Sequence, residues 1–251
     1  LQAARPMCIM GGTLGQDAAF DRFVNGSGLR LDHLRGKWEA YHLEEVEVDG
    51  RRYWVVAGSD ARGTAYGVLE LSRLIGVSPW AWWADVRPER RNEVRLTDEL
   101  VIEESPDVQF RGIFLNDEDW GLNLWSSAHF EPSAQPGRIG PRTYEKIFEL
   151  LLRLRANTIW PAMHECTVPF FQVEGNRAMA DKYGIVLGTS HCEPMMRNSA
   201  GEWDRRTMGA YNYKTNAGGI RQYWSQRLDQ VKETECIFTV GLRGVHDGRM
   251  E

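Results

Sequence analysis

The sequence predicts an α/β protein in two parts. Residues 1–106 read as a small α/β domain, truncated at its start. Residues 107–251 read as the first half, about four βα units, of a TIM-type (β/α)8 barrel, truncated at its C-terminus. Three observations carry this expectation. Strand-like and helix-like segments alternate along the whole chain. After residue 107 the strand-like segments are continuous apolar runs, the pattern of parallel strands covered on both faces by helical crossovers. Each of those runs ends in acid or imidazole.

The elements of the first part follow in order. "RPMCIMGG" reads as a short strand ending in glycines, and "DAAFDRFVNGSG" as a helix with a Gly-rich stop. "KWEAYHLEEVEVDGRRYWVVAGSD" reads as two strands around Asp49-Gly50, a strong hairpin signal. "RGTAYGVLELSRLIG" places Tyr66, Val68, Leu69, Leu71, Leu74 and Ile75 at the period of an amphipathic helix, with Gly76 set to end it. "SPWAWWADVRPERRNEVRL" then reads as an aromatic, Pro-containing turn and a charged connector.

In the second part, "VQFRGIFLN", "NTIWPAMHE", "IVLGTSHCEPM" and "CIFTVGLRGVHD" read as four strands. Between them lie the helical segments "PRTYEKIFELLLRLRA", "GNRAMADKYG" and "GIRQYWSQRLDQVKE". A doubly wound sheet fits the same alternation. Four units make half of a barrel.

Composition narrows the function classes. The 251 residues are 42% hydrophobic and 11% aromatic, enough for a substantial core. Net charge is −5 with mixed signs and no basic patch, which argues against a nucleic-acid partner. No apolar run reaches membrane length. "GGTLG" lacks the GxGxxG spacing, and no Walker A pattern occurs, so no nucleotide cofactor is expected. Cys8, Cys166, Cys192 and Cys236 form no CxxC pair and read as free thiols. The chain opens without Met in what reads as a strand already under way, so a piece of a longer protein is expected.

The chemistry is expected at the strand ends. The first gives Asn116, Asp117 and Glu118; the second, Trp160, His164 and Glu165; the third, His191, Cys192 and Glu193; the fourth, Arg243, His246 and Asp247. In parallel β/α folds these ends gather at one face. Each residue also has a plainer reading. Asp117 or Asp119 could cap a helix. Glu165 and Glu193 could pair with Arg177 or Arg197, His164 could be a core histidine, and Cys166 and Cys192 small buried hydrophobes. Trp80, Trp82 and Trp83 could plug the join between the two parts, or one could stack on a sugar. Two chemistries fit the rim: paired carboxylates in glycoside hydrolysis, or a metal-dependent hydrolase with His164, His191, His246 and a carboxylate as ligands. No HxH or HExxH spacing supports the second.

The run of motifs "RGTAYGVLELSRLIGVSPWAWWADV", "FRGIFLNDED", "NTIWPAM", "GIVLGTSHCEPMMRN" and "TVGLRGVHD" resembles glycoside hydrolase family 115, the xylan α-1,2-glucuronidases, over nearly the whole chain. The resemblance implies an α/β domain before a (β/α)8 barrel. It implies release of glucuronic acid or its 4-O-methyl form from glucuronoxylan, with inversion, without a metal, and in a periplasmic or extracellular location. Inversion needs two carboxyl groups roughly 6.5–9.5 Å apart.

Carried over by motif, Asp117, Asp247 and Glu193 are the candidate catalytic residues, with Asp247 as the acid. Asn116, Glu165, His164, His191, Arg243 and Trp160 are candidate substrate-binding residues. Arg243 suits the substrate carboxylate, because a guanidinium pairs bidentately with it. The chain departs from the family pattern at His191-Cys192-Glu193, where a second histidine is common, and at Arg73, where an acid is common. The other readings are a hexosaminidase-like barrel glycosidase, a metal-dependent hydrolase and a non-catalytic carbohydrate-binding remnant. Oligomeric state stays open, a dimer of the intact enzyme included. This stretch alone is expected to be inactive, because a half barrel leaves sheet edges open.

Overall fold

The computed structural model describes residues 8–94, 96, 100–116, 121–241 and 243–250. The chain divides into two compact units. One comprises Leu1–Phe110 together with Leu152–Ala156; the other comprises Arg111–Leu151 and Asn157–Glu251.

The first unit is a four-stranded sheet with helices α1 (Ala18–Ser27) and α2 (Ala61–Leu74). Its strands β1 (Cys8–Thr13), β2 (Tyr41–Val48), β3 (Arg51–Gly58) and β4 (Val101–Glu104) lie in the order β1-β3-β2-β4. The pair β1–β3 is parallel and the other two are antiparallel. Asp49 and Gly50 turn the β2–β3 hairpin, both at positive φ (53° and 73°), as a two-residue loop between paired Val48 and Arg51 requires.

Both helices are capped as their sequences indicate. The Asp17 carboxylate accepts from the amides of Ala19 and Phe20, and Asp60 accepts from that of Gly63. Gly28 ends α1 at φ 81°. Helix α1 packs Phe20 and Val24 into a core with Leu31, Leu34, Val55 and Ala57. Helix α2 approaches the sheet through Gly63 and Gly67, one turn apart. A Cβ at Gly67 would lie 2.5 Å from a Val56 methyl, and one at Gly63 would lie 2.2 Å from the Ala40 carbonyl oxygen.

Strand β4 is a departure from expectation. The sequence expectation assigned no element to Val101–Glu104, beyond the connector that ends at Leu96, yet the segment pairs with β2 from Tyr41↔Glu104 to Glu44↔Val101. The pairing of β2 rather than any alternation in Val101–Glu104 selects it.

The second unit has three short parallel strands, β5 (Gly112–Phe114), β6 (Thr158–Trp160) and β7 (Val186–Leu187), in that order. Its helices are α3 (Leu122–Trp125), α4 (Pro141–Arg153, whose last two residues belong to the first unit), α5 (Asn176–Tyr183), α6 (Ser199–Glu202), α7 (Arg205–Met208) and α8 (Ala217–Val231). The fourth expected strand is reduced to a parallel bridge at Leu187↔Cys236, with the Leu187 amide donating to Glu235 and the Ile237 amide to Leu187.

Strand β5 also differs from the expected buried run. Ile113 and Phe114 are 44% and 37% exposed, because β5 is the sheet edge. Ile159, Val186 and Leu187 of the inner strands are buried as expected. None of the four cysteines is paired. No helix among the described residues is long and apolar enough to cross a membrane.

Candidate active site

The residues of the third and fourth strand ends come together. Strand β7 ends at Leu187, and Gly188 to Ser190 lead into a tight turn. The Thr189 hydroxyl donates to the Glu193 carbonyl, and the Thr239 hydroxyl donates to the Thr189 carbonyl. A 3-10 turn over Pro194–Met196 follows, in which Met195 and Met196 both hold positive φ (55° and 58°). His246 does likewise at 52°. Side chains with a Cβ rarely adopt that region, and such strain concentrates at functional sites.

This loop sets His191 Nε2 2.9 Å from Asp247 Oδ1. Arg243 donates to the same carboxylate oxygen, and His246 Nδ1 lies 3.7 Å from the other. The His246 ring meets that of His164 edge-on at 5.4 Å. Asp247 thus sits among three basic groups. The hydrogen bond from His191, then the positive charges of His191, Arg243 and His246, hold its carboxyl below the ordinary aspartate range. That is the reverse of what a proton donor needs.

Glu193 is the opposite case. It is 6% exposed, and burial pushes its carboxyl up to about 7. The nearby negative charge of Glu202 adds to the rise. Ser190, donating to Oε2 from its amide and hydroxyl, and Arg227 oppose it. Cys192, the residue before Glu193, has its Sγ 3.5 Å from His191 Nε2 and 3.7 Å from Asp247 Oδ1. It is buried, and burial raises its thiol, which keeps it a protonated filler rather than a nucleophile.

A buried ion triad holds the loop from behind. Glu202 Oε2 accepts at 2.7 Å from both Arg197 and Arg227. Arg227 also donates to the Met196 carbonyl, and Arg197 donates to that of Tyr223. The guanidiniums lie 3.9 Å over the Phe171 ring and 4.2 Å over that of Tyr223. Arg197 therefore serves Glu202, not Glu193 or Glu165.

Of the other expected site residues, Trp160 lies edge-on to Phe114 at 5.7 Å. Its indole seats against Gly188, where a Cβ would come within 2.5 Å of Nε1. Asn116 is exposed beyond β5. Glu165 is exposed and makes no hydrogen bond or ion pair among the described residues. Asp117, with Glu118, Asp119 and Trp120, lies outside the described residues.

Gly188, Ser190, Glu202 and Arg227 were not singled out from the sequence. For Arg227 a signal exists: it falls on the Ile220, Tyr223, Arg227, Val231 stripe that α8 buries.

His191, Cys192 and Asp247 also present donor atoms within 4.8 Å of one another, as a metal site would. The chemistry of the set is poor for a cation. Arg243 occupies the shared Asp247 oxygen with positive charge, and the thiol is held protonated.

Fold and site together define a mixed α/β protein in whose second unit titratable groups meet beyond the carboxyl ends of parallel strands. The sequence profile of glycosyl hydrolase family 115 matches residues 103–251, and the chain belongs to that family. A solved structure described as a family GH115 4-O-methyl-alpha-glucuronidase, BtGH115A, with specificity for decorated arabinogalactans, is 54% identical. It superposes with a TM-score of 0.89 over 97% of this chain. The match spans 31% of that longer chain. No curated protein matches the sequence.

Proposed function

We propose that the protein containing this chain is a glycosidase that releases glucuronic acid or its 4-O-methyl form from a polysaccharide by acid/base carboxylate catalysis with inversion. The observation that carries the reading is the division between two acids of one site. Glu193 is held neutral to about pH 7, while Asp247 is held ionised. Crowded acids whose environments push them apart mark the donor and the ionised partner of glycoside hydrolysis.

In this scheme Glu193 donates the proton to the leaving glycosidic oxygen. Asp247 stays ionised and orders water or substrate hydroxyls. Asp247 thereby takes the part opposite to the acid's role assigned from the sequence. Arg243, with the His191 and His246 rings beside it, provides the positive charge that a uronate carboxylate requires. Asp117, Asn116, Glu165, His164 and Trp160 remain proposed site residues.

Within the same reading, β5 to β7 and the Glu235–Ile237 segment are the opening strands of a TIM-type barrel. Residues 1–106 and 107–251 are its preceding domain and first half.

The aglycone has two readings. The family resemblance favours glucuronoxylan, and the 54% identical structure favours decorated arabinogalactans. Incubating the full-length protein with each polysaccharide, and following the anomeric proton of the released sugar by NMR, tests the proposal. Initial release of the β-anomer of a uronic acid is expected. An α-anomer product would remove inversion, and release of neutral hexosamine alone would remove the α-glucuronidase reading.

A further inference from the structure

We propose that His33, His42 and Glu103, in the first unit and apart from the acid/base site, form a binding site for a divalent cation of the zinc class. Three elements bring them together. His42 stands on β2, directly opposite Glu103 on β4, so their side chains share one face. His33 lies in the 3-10 turn Asp32–Leu34, which Leu34 anchors in the core at 1% exposure. His42 Nδ1 and His33 Nδ1 lie 3.6 and 3.7 Å from Glu103 Oε1, and the two rings are 5.2 Å apart. One donor atom of each residue lies within 4.8 Å of the others. Tetrahedral zinc with bonds of about 2.0–2.1 Å needs donors roughly 3.3 Å apart, so a small contraction completes the set.

The surroundings of His42 suit a cation. The residue is 2% exposed. Its Nε2 lies 2.9 Å from Glu44 Oε2, two residues along the same strand face. In the tautomer whose Nε2–H donates to that carboxylate, the Nδ1 lone pair faces the Glu103 carboxylate. Nδ1 is out of water and has no hydrogen-bond partner, and 3.6 Å is too long for one. A ring nitrogen held out of water and facing a carboxylate oxygen is unfavourable unless a cation lies between them.

Histidine ligands of zinc commonly give their other ring nitrogen to a carboxylate in this manner, which fixes the tautomer and raises basicity. His33 Nε2 is likewise buried and unpartnered. Two imidazoles and one carboxylate suit zinc and not calcium or magnesium. Glu103 is half-exposed, which gives the ion an entry path and a position for a water ligand. The ion would tie edge strand β4 to β2 and to the 3-10 turn.

Elemental analysis and zinc titration of the purified full-length protein test the proposal, with melting temperature as a second readout. One zinc per chain is expected after dialysis, with a melting temperature that falls on chelation and recovers with zinc. Glu103→Gln, a half-exposed change that preserves shape, and His33→Asn should each weaken binding at least tenfold. Glu44→Gln should weaken it about ten- to a hundredfold. His191→Asn should leave the stoichiometry at one. Absence of zinc above trace in the native protein, even after zinc is added, would overturn the site. Full retention by the Glu103→Gln, His33→Asn double variant, or loss in His191→Asn alone, would do so too.

Discussion

Glu193 and Asp247 differ by surroundings more than by chemistry, and their variants should behave accordingly. Glu193→Gln removes the proposed donor, so activity should fall by about 10²–10⁴-fold. In the native enzyme kcat/KM should decline as pH rises through about 7, where Glu193 loses its proton. The same variant reads out in stability with a definite sign. The folded value lies above the ordinary 4.5, so the cost of native Glu193 to the fold is absent below 4.5, builds as pH rises from there and is complete above about 7. Denaturant unfolding at pH 8 should find Glu193→Gln more stable than native by up to about 3 kcal/mol, with the gap closing by pH 4.

Asp247→Asn should also lose roughly a hundredfold or more in activity. It should do so without moving the limb near pH 7. If that limb vanished in Asp247→Asn and persisted in Glu193→Gln, the two roles would have to be exchanged. The identity of these residues as polar strand ends was legible from spacing. Their opposite protonation was not, because it depends on burial and on partners 4 to 56 residues away.

At the level of elements, signals held where the chemistry is local. Asp49-Gly50 names its own turn, and "DAAFDRFVNGSG" runs from the Asp17 cap to the Gly28 stop of its helix. Signals failed where a partner decides. Val101–Glu104 becomes a strand because β2 offers an open edge, and Cys236 onward keeps only a bridge of the ladder expected there. The Arg197–Glu202–Arg227 triad joins residues 5 and 25 positions apart, which no periodicity reveals.

Arg73, the apparent departure from the family pattern, has a local answer in α2. It pairs with Glu70 one turn earlier at 2.6 Å, and Arg155 reaches the same buried carboxylate at 2.6 Å. The hydrogen bond from Arg73, followed by the charge of Arg155, holds Glu70 below the ordinary glutamate value against the cost of burial. Its stabilisation is therefore present above pH 4.5 and lost as pH falls through the lowered value. Glu70→Gln should cost about 2 kcal/mol at pH 7, discounted because Arg73 is half-exposed, and progressively less as pH falls below 4.5. A pH series of chemical denaturation checks both ends.

For the molecule as a whole, the exposed β5 edge sets an expectation about activity. Ile113 and Phe114 present apolar surface on a strand with a free hydrogen-bonding edge, the arrangement that invites further pairing. Uronic acid release is expected from the full-length protein and not from the 251-residue chain assayed alone. Comparable specific activity from both would show that the site needs nothing beyond these residues.

The membership of Leu152–Ala156 in the first unit has a consequence for how the chain is made. Arg155 supplies Glu70 and Glu104 with their guanidinium and lies 5.3 Å over the Tyr41 ring, while the Tyr66 hydroxyl donates to the Ala156 carbonyl. On the ribosome, the N-terminal unit therefore waits for the other unit's Arg111–Leu151 to be made before its own charge network closes. A shortened protein ending near residue 110 would leave Glu70 with Arg73 alone.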